Sequence, residues 1–313
     1  MAQPSDFSGG LIGGASRREF LLRGCGSAVA AMAVRGRAGA AESAQPLIGS
    51  QLYGWGQFLS REKKKLTAHL GEVLAALRDA GYDYAEGSMD SERVENNERF
   101  AAQLKERGLR PVSLYTGGRL HEEGRAGEVV DRLLGAAKVC QGAGFSIINC
   151  NPDPIGREKT DAELRTQAGA LRDLGAGLMR LGMKLGVHNH TPEMRREARE
   201  LHANFRATDP AVVGFCCDVH WVYLGGMDPM KALELYGARV VSWHLRQSRA
   251  SVWWEDLDDG DVDYGAIARF VRERGLTRYF TVELALEAGT KITRSAVENH
   301  RRSREYVRRI FGV

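Results

Sequence analysis

Short apolar segments alternate with amphipathic ones eight times between residue 46 and the C-terminus, and nothing else in the 313 residues limits the fold as tightly. The apolar segments read as strands Leu47–Tyr53, Tyr82–Glu86, Arg110–Tyr115, Ser146–Asn151, Lys184–His190, Val212–His220, Val240–Arg246 and Tyr279–Leu284. The stretches between them read as helices: Leu66–Ala80, Ser91–Arg107, Glu128–Ala143, Asp161–Leu181, Glu193–Phe205, Pro229–Tyr236, Tyr264–Arg274 and Arg294–Phe311. Gly81, Gly108 and Gly182 stand where left-handed helix caps are expected. A strand that returns through a helix pairs in parallel with its neighbour. Eight such units in about 270 residues predict an α/β fold, a closed (β/α)8 TIM barrel. An open doubly wound sheet is the rival, and it usually has fewer strands. No glycine-rich phosphate loop opens any helix, so nucleotide binding has no support.

The first 44 residues have a different character. Ser16-Arg17-Arg18-Glu19-Phe20-Leu21-Leu22 is a twin-arginine pattern, followed by the mildly apolar Ala28–Val34 and the small residues Ala38–Ala41. That order is the signature of a secretory signal. Residues 1–44 are therefore expected to be signal peptide and linker, and residues 45–313 the barrel domain of an exported, extracytoplasmic protein. The net charge of +4 includes +2 from this segment, which has five arginines against three acids. The remaining +2 gives no basic face for nucleic acid, and no run reaches the ~20 apolar residues of a membrane span. Cys140, Cys150, Cys216 and Cys217 read as buried thiols, since no CxxC spacing occurs.

Catalytic groups of such barrels sit at the C-terminal ends of the strands. Those ends are rich in metal-capable side chains here: Glu86 and Tyr115 on strands two and three, Asn149 and Asn151 on four. Strand five carries His188 and His190, six Asp218 and His220, seven His244, and eight Glu283. Four successive strands deliver an imidazole or carboxylate to one rim, and mixed nitrogen and oxygen donors suit a divalent ion such as Mn, Zn, Co or Mg. By alternation His188 and His190 share a face, as do Asp218 and His220, which leaves open whether the second histidine of each pair is a ligand.

The segments Gly186-Val-His-Asn-His190, Cys217-Asp-Val-His-Trp221, Ser242-Trp-His-Leu-Arg246 and Val282-Glu-Leu284 resemble the motifs of the xylose isomerase-like barrel superfamily. Gly260-Asp-Val-Asp-Tyr264 resembles the loop before its last unit. The superfamily includes sugar epimerases, hydroxypyruvate isomerase, inosose dehydratase and the endonuclease of the fourth type. The resemblance covers roughly residues 46–313. It implies one divalent metal ion held by His188, Asp218, His244 and Glu283, and a metal-dependent sugar isomerase or epimerase acting by enediolate proton transfer. Sugar epimerases of this group often present Glu on strand five, where this chain has His188.

Candidates for proton transfer are Glu283 and His188. Glu86, Tyr115, Asn149, Asn151, His190, His220, Trp221, Arg246 and Trp253 are candidates to bind substrate, a non-phosphorylated keto-sugar or related polyol. Trp55, Trp254, Gln247 and Arg249 also fall on or after strand ends. A keto-glycoside or inosose lyase on the same metal site, or a sugar-binding barrel without turnover, are the alternatives. The partners expected are the carbohydrate and the twin-arginine export machinery, without nucleic acid or stable membrane insertion; assembly into a homo-oligomer stays open.

Overall fold

The structure is a computed structural model that describes residues 45–276 and 279–313. The twin-arginine pattern and the expected signal segment lie outside the described residues. Eight parallel strands close into a barrel in the order β1 (Leu47–Gln51), β10 (Tyr279–Val282), β7 (Val240–Leu245), β6 (Gly214–Asp218), β5 (Lys184–His188), β4 (Ile147–Pro152), β3 (Ser113–Gly118) and β2 (Tyr84–Ser88). Strands β8 (Ser248–Arg249) and β9 (Val252–Trp253) form a separate antiparallel pair after β7.

The outer layer follows the expected order: α2 (Leu66–Asp79), α3 (Glu95–Glu106), α4 (Ala126–Ala143), α5 (Asp161–Arg180), α6 (Thr191–Arg206), α8 (Pro229–Tyr236), α9 (Tyr264–Arg274) and α10 (Ala296–Phe311). Each buries an apolar stripe on the strands, as Leu171, Leu174 and Leu178 do from α5. Thr160 caps α5 reciprocally with Glu163, satisfying two amide groups that have no intrahelical partner.

Two helices are additions to the expected pattern. Helix α1 (Leu52–Arg61) starts directly after β1, and α7 (Val219–Leu224) directly after β6. Their apolar residues extend the strand-like runs, so the sequence reads them as strand. Both begin under a side-chain cap, from Gln51 and Asp218 respectively. Helix α6 is interrupted at Arg195–Ala198, with positive φ at Arg196, Glu197 and Ala198.

The lower barrel is closed by Leu47, Tyr84, Val112 and Ile147, with Tyr279 packed against them. A side chain on Gly49 would meet the Tyr84 ring at 2.1 Å, so glycine admits that ring to the barrel axis. The four cysteines are free and buried. Among the described residues no helix is long and apolar enough to cross a membrane.

Candidate metal centre

Strand register sets the upper layer. Asp218 pairs with His244 across β6 and β7, and His188 with Cys216 across β5 and β6. Glu283 follows β10 by one residue, and its amide still donates to Leu245 O at 2.9 Å. One donor atom from each of His188, Asp218, His244 and Glu283 lies within 4.8 Å of all the others, with every one of the four side chains buried. His188 Nε2 is 3.1 Å from His244 Nδ1 and 3.5 Å from Asp218 Oδ2, while His244 Nδ1 is 2.8 Å from Glu283 Oε2. Those separations are comparable with two metal–ligand bonds of about 2.0–2.2 Å each.

The donor chemistry fits a cation. Glu86 Oε1 is 2.7 Å from His244 Nε2, and its other oxygen accepts from Ser113 Oγ and Asn149 Nδ2. A carboxylate there is an acceptor, so Nε2 donates its proton to Glu86, and Nδ1, which faces Glu283 Oε2, would offer its lone pair to a cation that displaces its own proton. Three buried carboxylates, Glu86, Asp218 and Glu283, stand against one guanidinium, Arg246, and against His244, whose affinity for a proton they raise, so the layer keeps an excess of negative charge. Such buried charge calls for compensation, and a divalent ion at the four donors supplies it.

Arg246 is itself firmly held. Its guanidinium lies 4.6 Å from the Trp221 ring centre and 4.4 Å from that of Trp253, and it donates to Asp218 Oδ2 at 3.0 Å. Cations are attracted to ring faces at such distances. Burial pushes the Asp218 and Glu283 carboxyls up, but Arg246 and the histidines outweigh it, holding Glu283 down at about 2 and Asp218 lower still. Burial would lower His244, yet Cys216, Glu86 and Glu283 around it raise it well above its ordinary value. His188 is lowered, chiefly by burial and against the pull of Asp218.

A cavity of about 1450 Å³ opens over this layer. His188, His244 and Glu283 form part of its wall, with Tyr115, His190, Trp221, Arg246 and Trp253 beside them. Five of the nine substrate candidates thus face the space a ligand would occupy. The other four do not border it. Glu86 and Asn149 are fully buried under His244, where they hold the ring and each other, with Ser242 Oγ donating to Asn149 Oδ1. Asn151 is buried beside His190: its Nδ2 donates to His188 O, so its Oδ1 turns to His190 Nδ1. His220 is fully buried without a hydrogen-bond partner for either ring nitrogen, beside Trp253 and Tyr223.

His188 and His190 line the same cavity, their rings 4.6 Å apart, but not as alternate residues of one strand, and His220 does not border it. Strands β5 and β6 end at His188 and Asp218; His190 is the N-cap of α6 and His220 belongs to α7. His190 reaches the cavity through the cap geometry instead. Its pKa falls to about 3 through burial and the neighbouring His188. Trp55 lies in α1, stacked on His300 at 4.2 Å and bonded to Ser50 Oγ, away from the cavity. Gln247 ties the following loop through Asp258 O and Val262 O, and Arg249 stacks on Trp254; none of these three borders the cavity.

Ser113, Ser242 and Cys216 were not among the site residues the sequence pointed to. Cys216 is close enough to His188 and His244 to form a three-donor group with them. Each of the three stands two residues before a marked rim residue (Tyr115, His244, Asp218), so strand alternation points them inward as well.

The family described as xylose isomerase-like TIM barrel matches residues 74–310. An inosose dehydratase from Geobacillus kaustophilus (strain HTA426) is 27% identical over 198 residues, 58% of this chain. That alignment spans 63% of the relative's own length. Among solved structures, a sugar phosphate isomerase/epimerase from Parabacteroides distasonis superposes with a TM-score of 0.68 at 21% identity, covering 86% of this chain and 95% of that one. The IOLI protein with a binding zinc atom superposes at 0.63 and 17% identity, covering 85% and 98%. At these identities the two structures establish the likeness of fold.

Proposed function

The chain belongs to the xylose isomerase-like TIM barrel family, and from that premise we propose that it is a divalent-metal-dependent enzyme moving a proton on a carbon next to a carbonyl, in a keto-sugar or polyol ketone. The observation that carries this reading is the convergence of His188, Asp218, His244 and Glu283 at the floor of the cavity. A bound divalent ion supplies Lewis-acid polarisation of the substrate carbonyl and stabilises negative charge on its oxygen. Two imidazoles with two carboxylates favour zinc or a similar borderline ion.

The chain's own groups account for the rest. Glu283 is ionised at neutral pH and borders the cavity, so one of its oxygens accepts the carbon-bound proton. Arg246, clamped between two indoles, holds Asp218 and Glu283 in place and presents a fixed positive charge to the substrate. His190 and Tyr115, on either side of His188, offer polar contacts to hydroxyls. Incubation with free keto-sugars and inososes in D2O tests the reading: metal-loaded protein should place deuterium next to the carbonyl of at least one, and Glu283→Gln should not. Metal-loaded protein that labels none of them contradicts it.

A second reading, loss of water or another β-leaving group, is favoured by one specific feature. Of the four clustered residues only Glu283 brings a carboxylate to the cavity wall, with His188 at the strand-five position. Epimerisation needs a proton carrier on each face of the carbon, whereas in elimination of water one group can take the carbon-bound proton and return it to the departing hydroxyl. The likeness to an inosose dehydratase supports this reading as well. An unsaturated product would identify elimination; recovery of labelled, inverted substrate would identify epimerisation.

We also propose that Arg17 and Arg18 direct export of the folded protein, on which ground the substrate is taken as non-phosphorylated. Cell fractionation should find the protein outside the cytoplasm and its Arg17→Lys, Arg18→Lys variant inside; equal distribution of the two contradicts the proposal.

A further inference from the structure

The cavity is larger than a sugar ring needs. Its volume of about 1450 Å³ exceeds the roughly 300–1,000 Å³ of pockets that bury a drug-sized ligand. From the metal floor it runs sideways along α1, the α1–α2 turn, α2 and α3.

The two ends differ in chemistry. The floor carries His188, His190, Arg246 and Glu283, groups that meet hydroxyls and a carbonyl. The side channel is walled by Leu52, Leu66, Leu70, Phe100 and Leu286, with Tyr53 at 57% exposure among them.

Three polar side chains along that channel, Gln57, Arg61 and Asn97, are engaged with the protein, while Ser60, Lys65, Thr67, Ser88 and Gln103 also border it from solvent-exposed positions. Both ends of the Gln57 amide bond the backbone of Leu286, and its Nε2 also donates to Tyr53 Oη at 3.2 Å. Arg61 donates to the carbonyls of Thr290 and Glu287. The Asn97 amide closes on the backbone of Asp90 at both ends. A hydroxyl-rich group packed between Leu52, Phe100 and Leu286, beside the engaged Gln57 and Asn97, would lose water and gain few partners, which is unfavourable. An apolar group would gain by burial, and a planar one by stacking on the exposed Tyr53 ring.

We propose that the natural substrate is a conjugate, with a polyol ring on the metal floor and an apolar group of aromatic-ring size in the channel lined by Leu66, Leu70 and Phe100. The assignment of the polyol end rests on the function proposed above. The channel is continuous with the floor, so a single molecule can span both.

Binding of a matched pair to the full, zinc-loaded chain tests this by calorimetry. The pair is 4-nitrophenyl β-D-glucopyranoside and methyl β-D-glucopyranoside, which share a polyol ring and differ in the attached group. The aryl glycoside should bind at least tenfold more tightly. Leu70→Asp, at a half-exposed position, and Phe100→Ala should each remove that preference while leaving methyl glycoside affinity and metal content unchanged. Equal affinity for the two ligands overturns the proposal. So does an equal loss for both ligands in the variants, or no binding of either. Since the measurement needs no turnover, a failure to exchange deuterium would sink the proposed reaction without touching the aryl preference.

Discussion

The two sides of the barrel divide the labour. Strands β5, β6 and β7 and the end of β10 supply the four donors: His188, Asp218, His244 and Glu283. Strands β2, β3 and β4 supply none of them. They contribute Glu86, which bonds His244 Nε2, and Ser113 and Asn149, which both donate to the other oxygen of Glu86. The same side carries the apolar channel. A buried carboxylate on this side therefore acts on the reaction only through the ring it orients, while one on the other side, Glu283, touches the cavity directly. Residue type alone does not separate those roles; depth in the barrel does.

If that division holds, the largest effect comes from the donor side. Glu283→Gln keeps shape and removes the charge, and the rate of solvent deuterium exchange should fall by about 10²–10⁴. A residual rate near that of the unaltered protein would move the proton-accepting role elsewhere. On the supporting side, Glu86→Gln should leave the fold intact and weaken metal affinity about 10- to 100-fold, the usual cost of losing a partner behind a metal-bound histidine. Competition with a chromogenic chelator reads it directly. Unchanged affinity would mean that the second nitrogen of His244 needs no orienting carboxylate.

A smaller effect tests whether both sides carry neutral buried imidazoles. His220, next to the donors, and His300, stacked on Trp55 of α1, are each lowered to about 4, first of all by burial. The unfolded chain takes up these protons near pH 6.5. Their contribution to stability is thus complete above that pH and is lost as pH falls toward 4. At pH 5 each costs about 2 kcal/mol relative to pH 7. Denaturant unfolding at the two pH values should show His300→Gln losing about that much less than the parent. Identical losses would mean that His300 takes up a proton in the folded state.

Much of this was legible in the sequence, for identifiable reasons. Alternation of apolar strands with amphipathic helices fixed the barrel, and Gly81, Gly108 and Gly182 do adopt positive φ at helix ends, at 89°, 72° and 72°. The four donors stand at strand ends, but strand position alone left His190 and His220 as equal candidates, and it was the resemblance to the family motifs that implied the set of four. What failed was the extension of β5 and β6 to His190 and His220. The residues after Asp218 are as apolar or aromatic as strand residues, yet Asp218 caps a helix at once through Trp221 N, and after His188 the polar Asn189-His190 leads straight into the α6 cap. Tertiary depth was also hidden: Glu86, Asn149 and Asn151 have the residue types of ligand-binding groups, and only the fold places them behind the wall. Gly186 shows how tight that layer is, since a side chain there would meet Asn149 Oδ1 at 2.4 Å.

Metal content of the purified chain tests the central claim most directly. After saturation with zinc, manganese or cobalt and exhaustive dialysis, elemental analysis should find one divalent ion per chain, and none in the combined His188→Ala, His244→Ala variant that still folds. A parent protein that retains no ion of any kind under those conditions contradicts the account.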